Sequence, residues 1–65
     1  MDFTEALKKI NRSRLRITRK NWPYELYFSR IIGYLMIKSN NGLGAEISSY
    51  AIHETDFEYN WEIKE

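Results

Sequence analysis

Arg14, Arg16 and Arg19 lie at close intervals ahead of Trp22, and Trp22 precedes the chain's only proline, Pro23. A guanidinium is a planar fork that matches phosphate, and an indole face suits a purine. Residues of these types beside a turn point to a ligand that carries both phosphate and a flat base. The same residues also have a packing reading, in which Trp22 closes a sheet edge and the arginines solubilise the surface. Residue types and spacing alone leave both readings open.

Catalytic chemistry has less to draw on. A nucleophilic mechanism needs an activated Ser, Cys or Lys beside a base. The chain has no cysteine, and its one histidine, His53, sits between Ile52 and Glu54 without a recognisable nucleophile nearby in sequence. Glu54, Asp56 and Glu58 could form an acid–base pair, but they read more simply as a solvated acidic segment. No glycine-rich phosphate loop is present; Gly42-Leu43-Gly44 is too short and belongs to a turn. Without cysteines or a second histidine, neither a thiolate nor a histidine metal site is expected. No cofactor is expected.

Size and charge narrow the partners. A 65-residue chain hides only ~60% of its unfolded surface and is marginal alone. With no disulfide or metal available, association with further copies is the remaining route to stability, so a homo-oligomer is expected. The ten aromatic residues (three Phe, two Trp, five Tyr) are more than so small a core readily hides. Rings left at a surface tend to mark interfaces or ligand sites. The net charge is +1 but uneven. Residues 1–42 hold nine Lys and Arg against three acids, giving +6; residues 43–65 hold one Lys against six acids, giving −5. This asymmetry suits head-to-tail contact between subunits or a basic pocket for an anion. The total is too low for a general nucleic-acid coat, so DNA is not an expected partner. Neither a leader nor a membrane span is legible, and a cytoplasmic location is the expectation.

The elements that must hold these side chains follow from periodicity. Phe3, Ala6, Leu7 and Ile10 form one stripe of an amphipathic helix, with Asp2 at its cap, Glu5 at the reciprocal position, and Lys8 and Lys9 in its last turn. Asn11 or Arg12 should end it. From Arg14 the period becomes two: Leu15 and Ile17 point one way, Arg14, Arg16 and Thr18 the other. Trp22-Pro23 breaks that strand. Tyr24, Leu26 and Phe28 mark a second strand, and residues 34–38 a third. Asn40-Asn41-Gly42 reads as a hairpin turn, followed by a fourth strand near residues 45–48. Residues 49–59 read as a short helix or turn that Asp56 could cap. Trp61-Glu62-Ile63 closes the chain as a strand, with Trp61 facing the core beside Ile63. The fold class is α+β: residues 1–65 form one unit, an N-terminal helix on a small antiparallel sheet of four to five strands.

These features, taken in order, resemble the Thoeris anti-defence 2 family of phage proteins. The opening Phe3-Thr4-Glu5-Ala6-Leu7 looks like that family's Phe-x-Glu-Ala-Leu helix, and Arg19 to Trp22 matches its Arg-x-x-Trp at a strand end. Met36-Ile37-Lys38 before Asn41-Gly42, then Tyr50, Thr55-Asp56 and Asn60-Trp61-Glu62, look like the later landmarks. Tyr50 stands where the family commonly has Trp, Asn60 where it has Asp, and the Asp56–Trp61 interval is one residue short. The resemblance implies a homotetramer that sequesters cyclic nucleotide immune signals, cyclic ADP-ribose isomers or cyclic dinucleotides, without cleaving them, in the cytoplasm of an infected bacterial host. It implies Trp22 as the stacking residue, with Phe3 or Tyr50 from the same or a neighbouring subunit. Arg19 and Arg16 would then meet phosphate, and Asp56 or Asn60 a ribose hydroxyl or base edge. Two other classes stay open on the residues themselves: a small module for single-stranded nucleic acid, and one that binds a host protein.

Overall fold

A computed structural model describes residues 1–11, 13–39 and 47–64. Helix α1 spans Phe3–Ile10. Its cap is Asp2, whose carboxylate accepts from the Glu5 N–H at 2.7 Å and satisfies a donor the helix itself cannot. At the other end, Asn11 donates to Leu7 O at 3.1 Å. The periodic stripe becomes the buried face: Phe3, Ala6 and Ile10 lie wholly inside, and Leu7 is half-buried at the edge.

Strands β1 (Arg16–Arg19), β2 (Tyr24–Phe28), β3 (Leu35–Ser39), β4 (Ser48–Ser49) and β5 (Trp61–Lys64) form one sheet. Their order is β4-β3-β2-β1-β5, and all pairings are antiparallel. A short 3-10 helix, Glu54–Glu58, precedes β5. The architecture is thus α+β, one helix on a five-stranded antiparallel sheet. The fourth strand appears at Ser48–Ser49, while expected positions 45 and 46, like the Asn40-Asn41-Gly42 turn, lie outside the described residues.

Register assigns each side chain to a face. The pairs Ile17↔Leu26, Ile17↔Ile63, Leu26↔Ile37, Phe28↔Leu35 and Arg19↔Trp61 all lie on the helix side. There Ile17, Leu26 and Trp61 meet Phe3, Ala6 and Ile10 in the core. Burying a side chain of this size stabilises by about 1.5–3 kcal/mol. The pairs Arg16↔Lys64, Glu25↔Lys38, Thr18↔Glu62 and Tyr27↔Met36 occupy the opposite face, away from α1.

Two tight connections set the ends of the sheet. Between β1 and β2, Trp22 N donates to Arg19 O at 3.2 Å, and Asn21 adopts φ 61°. Asn tolerates this left-handed conformation better than other residues with a side chain. Between β2 and β3, Ser29 and Tyr34 close the loop with a 3.0 Å bond, and Gly33 at φ 81° supplies the reversal. No helix among the described residues is long and apolar enough to cross a membrane.

Candidate functional site

The β1–β2 turn is what places Arg19 on Trp22. A hydrogen bond between residues three apart folds the chain back, and the guanidinium carbon comes to rest 4.2 Å from the indole centroid. The Tyr59 ring lies 3.8 Å from the same carbon and Trp61 lies 5.1 Å away. Arg19 is therefore enclosed by rings, with its side chain only 16% exposed. Stacking of a desolvated guanidinium on an aromatic face contributes about 1–2 kcal/mol.

Asp56 closes the arrangement from the 3-10 helix. Its carboxylate is buried and lies 3.4 Å from Arg19 Nη1. The Tyr50 hydroxyl donates to it, at 2.9 Å from both oxygens, and the His53 N–H donates to Oδ2 at 2.9 Å. The Asp56 carbonyl in turn accepts from Trp61 Nε1 at 2.8 Å. A buried carboxylate needs such partners, because an unpaired charge there is expensive. His53, not the expected Asp56, is the cap of the 3-10 helix; Asp56 lies in its first turn, reaches back to the His53 backbone and also anchors Arg19.

Tyr50 records this environment. Burial, reinforced by the hydrogen bond to Asp56 and by its negative charge, pushes the phenol up to about 12, against a smaller opposing pull from Arg19. The hydroxyl is held as a neutral donor and its proton is committed to Asp56. Edge-to-face contacts of Trp22 with Tyr24 (5.6 Å), Tyr50 (6.4 Å) and Trp61 (5.4 Å) complete a ring-rich end of the sheet. Its rim is open: Tyr24, Tyr59, His53 and Lys20 are exposed, and Trp22 is half-buried.

Four of the residues singled out in the sequence, Arg19, Trp22, Tyr50 and Asp56, therefore share one cluster. Three others lie elsewhere. Phe3 is 0% exposed, with its ring 4.9 Å from Trp61 and 5.3 Å from Phe57, so it serves the core and presents no face to a ligand. Asn60 lies at the surface, where its Oδ1 accepts from the Met1 nitrogen at 2.7 Å. Arg16 points to the opposite face of the sheet from Arg19, because residues an odd number apart in a strand face opposite ways. The two arginines cannot hold one phosphate together within a single chain.

Arg16 belongs to a second constellation. Glu25 sits on the face away from α1 yet is only 1% exposed, roofed by basic side chains. Arg16 Nη1 and Lys38 Nζ lie 2.8 and 3.4 Å from Oε1, and Lys64 Nζ lies 2.8 Å from Oε2. Burial alone would raise its carboxyl, but the bonds and charges of Lys64 and Arg16 outweigh that and hold it below 4.5. Its folded value being depressed, the stability it contributes is present above 4.5 and is lost as pH falls through the lowered value. Alternation marks Glu25 as outward-facing; only the register of β1, β3 and β5 shows that three cations converge on it. Tyr59 is likewise missed by sequence reading, since its stack on Arg19 depends on where the 3-10 helix ends.

Among the described residues, no three His, Asp or Glu side chains stand together in a way that could hold a metal ion. No family model, curated protein or solved structure matches the chain.

Proposed function

We propose that this chain is a non-enzymatic binding protein that sequesters a cyclic nucleotide signal, a cyclic ADP-ribose isomer or cyclic dinucleotide, as the phage proteins it resembles in sequence do. One observation carries the reading. Arg19, Trp22, Tyr50 and Asp56, drawn from distant parts of the chain, converge on one half-exposed, ring-walled end of the sheet. Such an end suits a ligand with flat bases, because aromatic faces stack on any base and are worth about 1–3 kcal/mol per base.

The geometry revises the division of labour. Arg19 is engaged by Asp56 and by rings on its sides, so its part is to brace Trp22 and Tyr59 in a stacking posture. Base stacking falls to Trp22, Tyr24 and Tyr59 at the open rim. Lys20, exposed in the same turn, supplies a cation for phosphate, and a neighbouring subunit supplies the other wall. The homo-oligomer, a tetramer in this reading, is supported by the apolar surface that Ile31, Ile32, Tyr34, Ile52 and Phe57 leave exposed. The bacterial host cytoplasm is the location this function requires.

The test is a hold-and-release assay. The protein is incubated with cyclic ADP-ribose isomers and cyclic dinucleotides, separated from free ligand, and heated. Recovery of the intact nucleotide from the protein fraction supports sequestration. Recovery of a linear product identifies an enzyme, and no retained nucleotide contradicts the proposal.

A further inference from the structure

A second site lies on the other side of the molecule from the Trp22 cluster's packed rings. An open groove of about 570 Å³ runs along the start of β1, the end of β2 and the start of the β2–β3 loop. Arg14, Arg16, Arg30 and Lys38 line it together with Tyr27 and Ser29, and among the described residues no carboxylate does. Its size falls within the range of small-molecule sites, roughly 300–1,000 Å³.

Its charge has a particular construction. Glu25 lies behind the groove and bonds Arg16 and Lys38 through one oxygen, Oε1. That fixes the two cationic heads without exhausting them: a guanidinium has five N–H donors and an ammonium three. Arg14 is exposed and has no ion pair among the described residues. Arg14, Arg16 and Lys38 outnumber the one buried carboxylate beside them, Glu25. Lys38 Nζ also stands 5.3 Å from the Tyr27 ring centroid, which sets an aromatic face beside the cations.

We infer that this groove binds a linear polyphosphate, with Arg14, Arg16, Arg30 and Lys38 as its ligands and Glu25 as the residue that positions two of them. Contiguous phosphates match cations gathered on one wall. A cyclic dinucleotide carries two separated charges and matches them less well. The inference is independent of the cyclic nucleotide reading, whose rings lie at the β1–β2 turn.

Calorimetry at low ionic strength, with inorganic tripolyphosphate and magnesium-free ATP as probes, tests it. Both should bind, and binding should weaken as salt rises. Arg14→Glu should weaken tripolyphosphate about tenfold or more, as expected for losing a charge-assisted contact, while thermal stability stays at the parent value. Lys38→Gln should weaken it in the same direction. Lys8→Glu, a charge change on the exposed side of α1, should leave it within about twofold. Tighter binding of ATP than of tripolyphosphate assigns the occupant as a nucleotide stacked on Tyr27, and equal binding assigns inorganic polyphosphate; either supports the site. Absence of binding by both probes overturns the inference. So does an equal loss in Lys8→Glu and Arg14→Glu, which would show only a diffuse charge effect. A single-stranded oligonucleotide that displaces tripolyphosphate at equal phosphate concentration also overturns it, and makes the face a nucleic-acid surface.

Discussion

At the scale of single residues, Asp56 decides how the ring-rich end is built. Its carboxylate gathers Tyr50, His53 and Arg19, and Arg19 in turn stacks against Trp22 and Tyr59. Tyr50 offers the cleanest readout of this arrangement. Its folded value is raised from 10.0 to about 12, so its contribution to stability is full below 10 and is lost as pH rises through 12. An ultraviolet phenolate titration should show one tyrosine ionising near 12, absent from Tyr50→Phe. A Tyr50→Phe titration indistinguishable from the parent would contradict the Asp56 bond. The residue types of this cluster were legible in the sequence; their roles were only partly so. Arg19 reads as a phosphate ligand because nothing in the local sequence reveals that Asp56, 37 positions on, reaches it. Arg16 and Arg19 read as neighbours, although the odd interval between them already implied opposite faces.

At the scale of elements, the helix and the strands were legible because each keeps its period: Phe3, Ala6 and Ile10 at helical spacing, and Tyr24, Leu26 and Phe28 at every second position. What periodicity does not convey is which strand lies beside which. The pairing of β1 with β5 joins Arg16 to Lys64 across most of the chain, and the Glu25 cluster depends on it. The β1–β2 turn is the element on which the candidate site rests most heavily. Asn21 holds φ 61° there, a conformation that costs β-branched residues more than Asn. Asn21→Val should therefore destabilise by about 1–2 kcal/mol, and Asn21→Gly by far less, as read from urea denaturation midpoints. Equal midpoints for the two variants would show that the turn is not strained as described.

At the scale of the whole molecule, the two faces of the sheet have different occupations. One carries α1 and the small core; the other carries Glu25 beneath its three cations. The charge asymmetry legible along the sequence is folded into local pairs at Arg19–Asp56 and Lys64–Glu25, which the chain order alone could not reveal. Apolar side chains remain outside, with Ile31 at 97% exposure on the β2–β3 loop. If this surface joins copies, Ile31→Asp should shift the native mass toward the monomer without lowering the helical signal in circular dichroism. An unchanged mass would place the subunit contact elsewhere. In the proposed function, the Trp22 end of the sheet holds a cyclic nucleotide. Calorimetry of the parent protein and Trp22→Leu against a panel of cyclic ADP-ribose isomers and cyclic dinucleotides tests it most directly. At least one member should bind the parent tightly, and Trp22→Leu should lose about tenfold or more of that affinity at unchanged oligomeric mass. No heat from any member of the panel, or equal affinity in the two proteins, would contradict it.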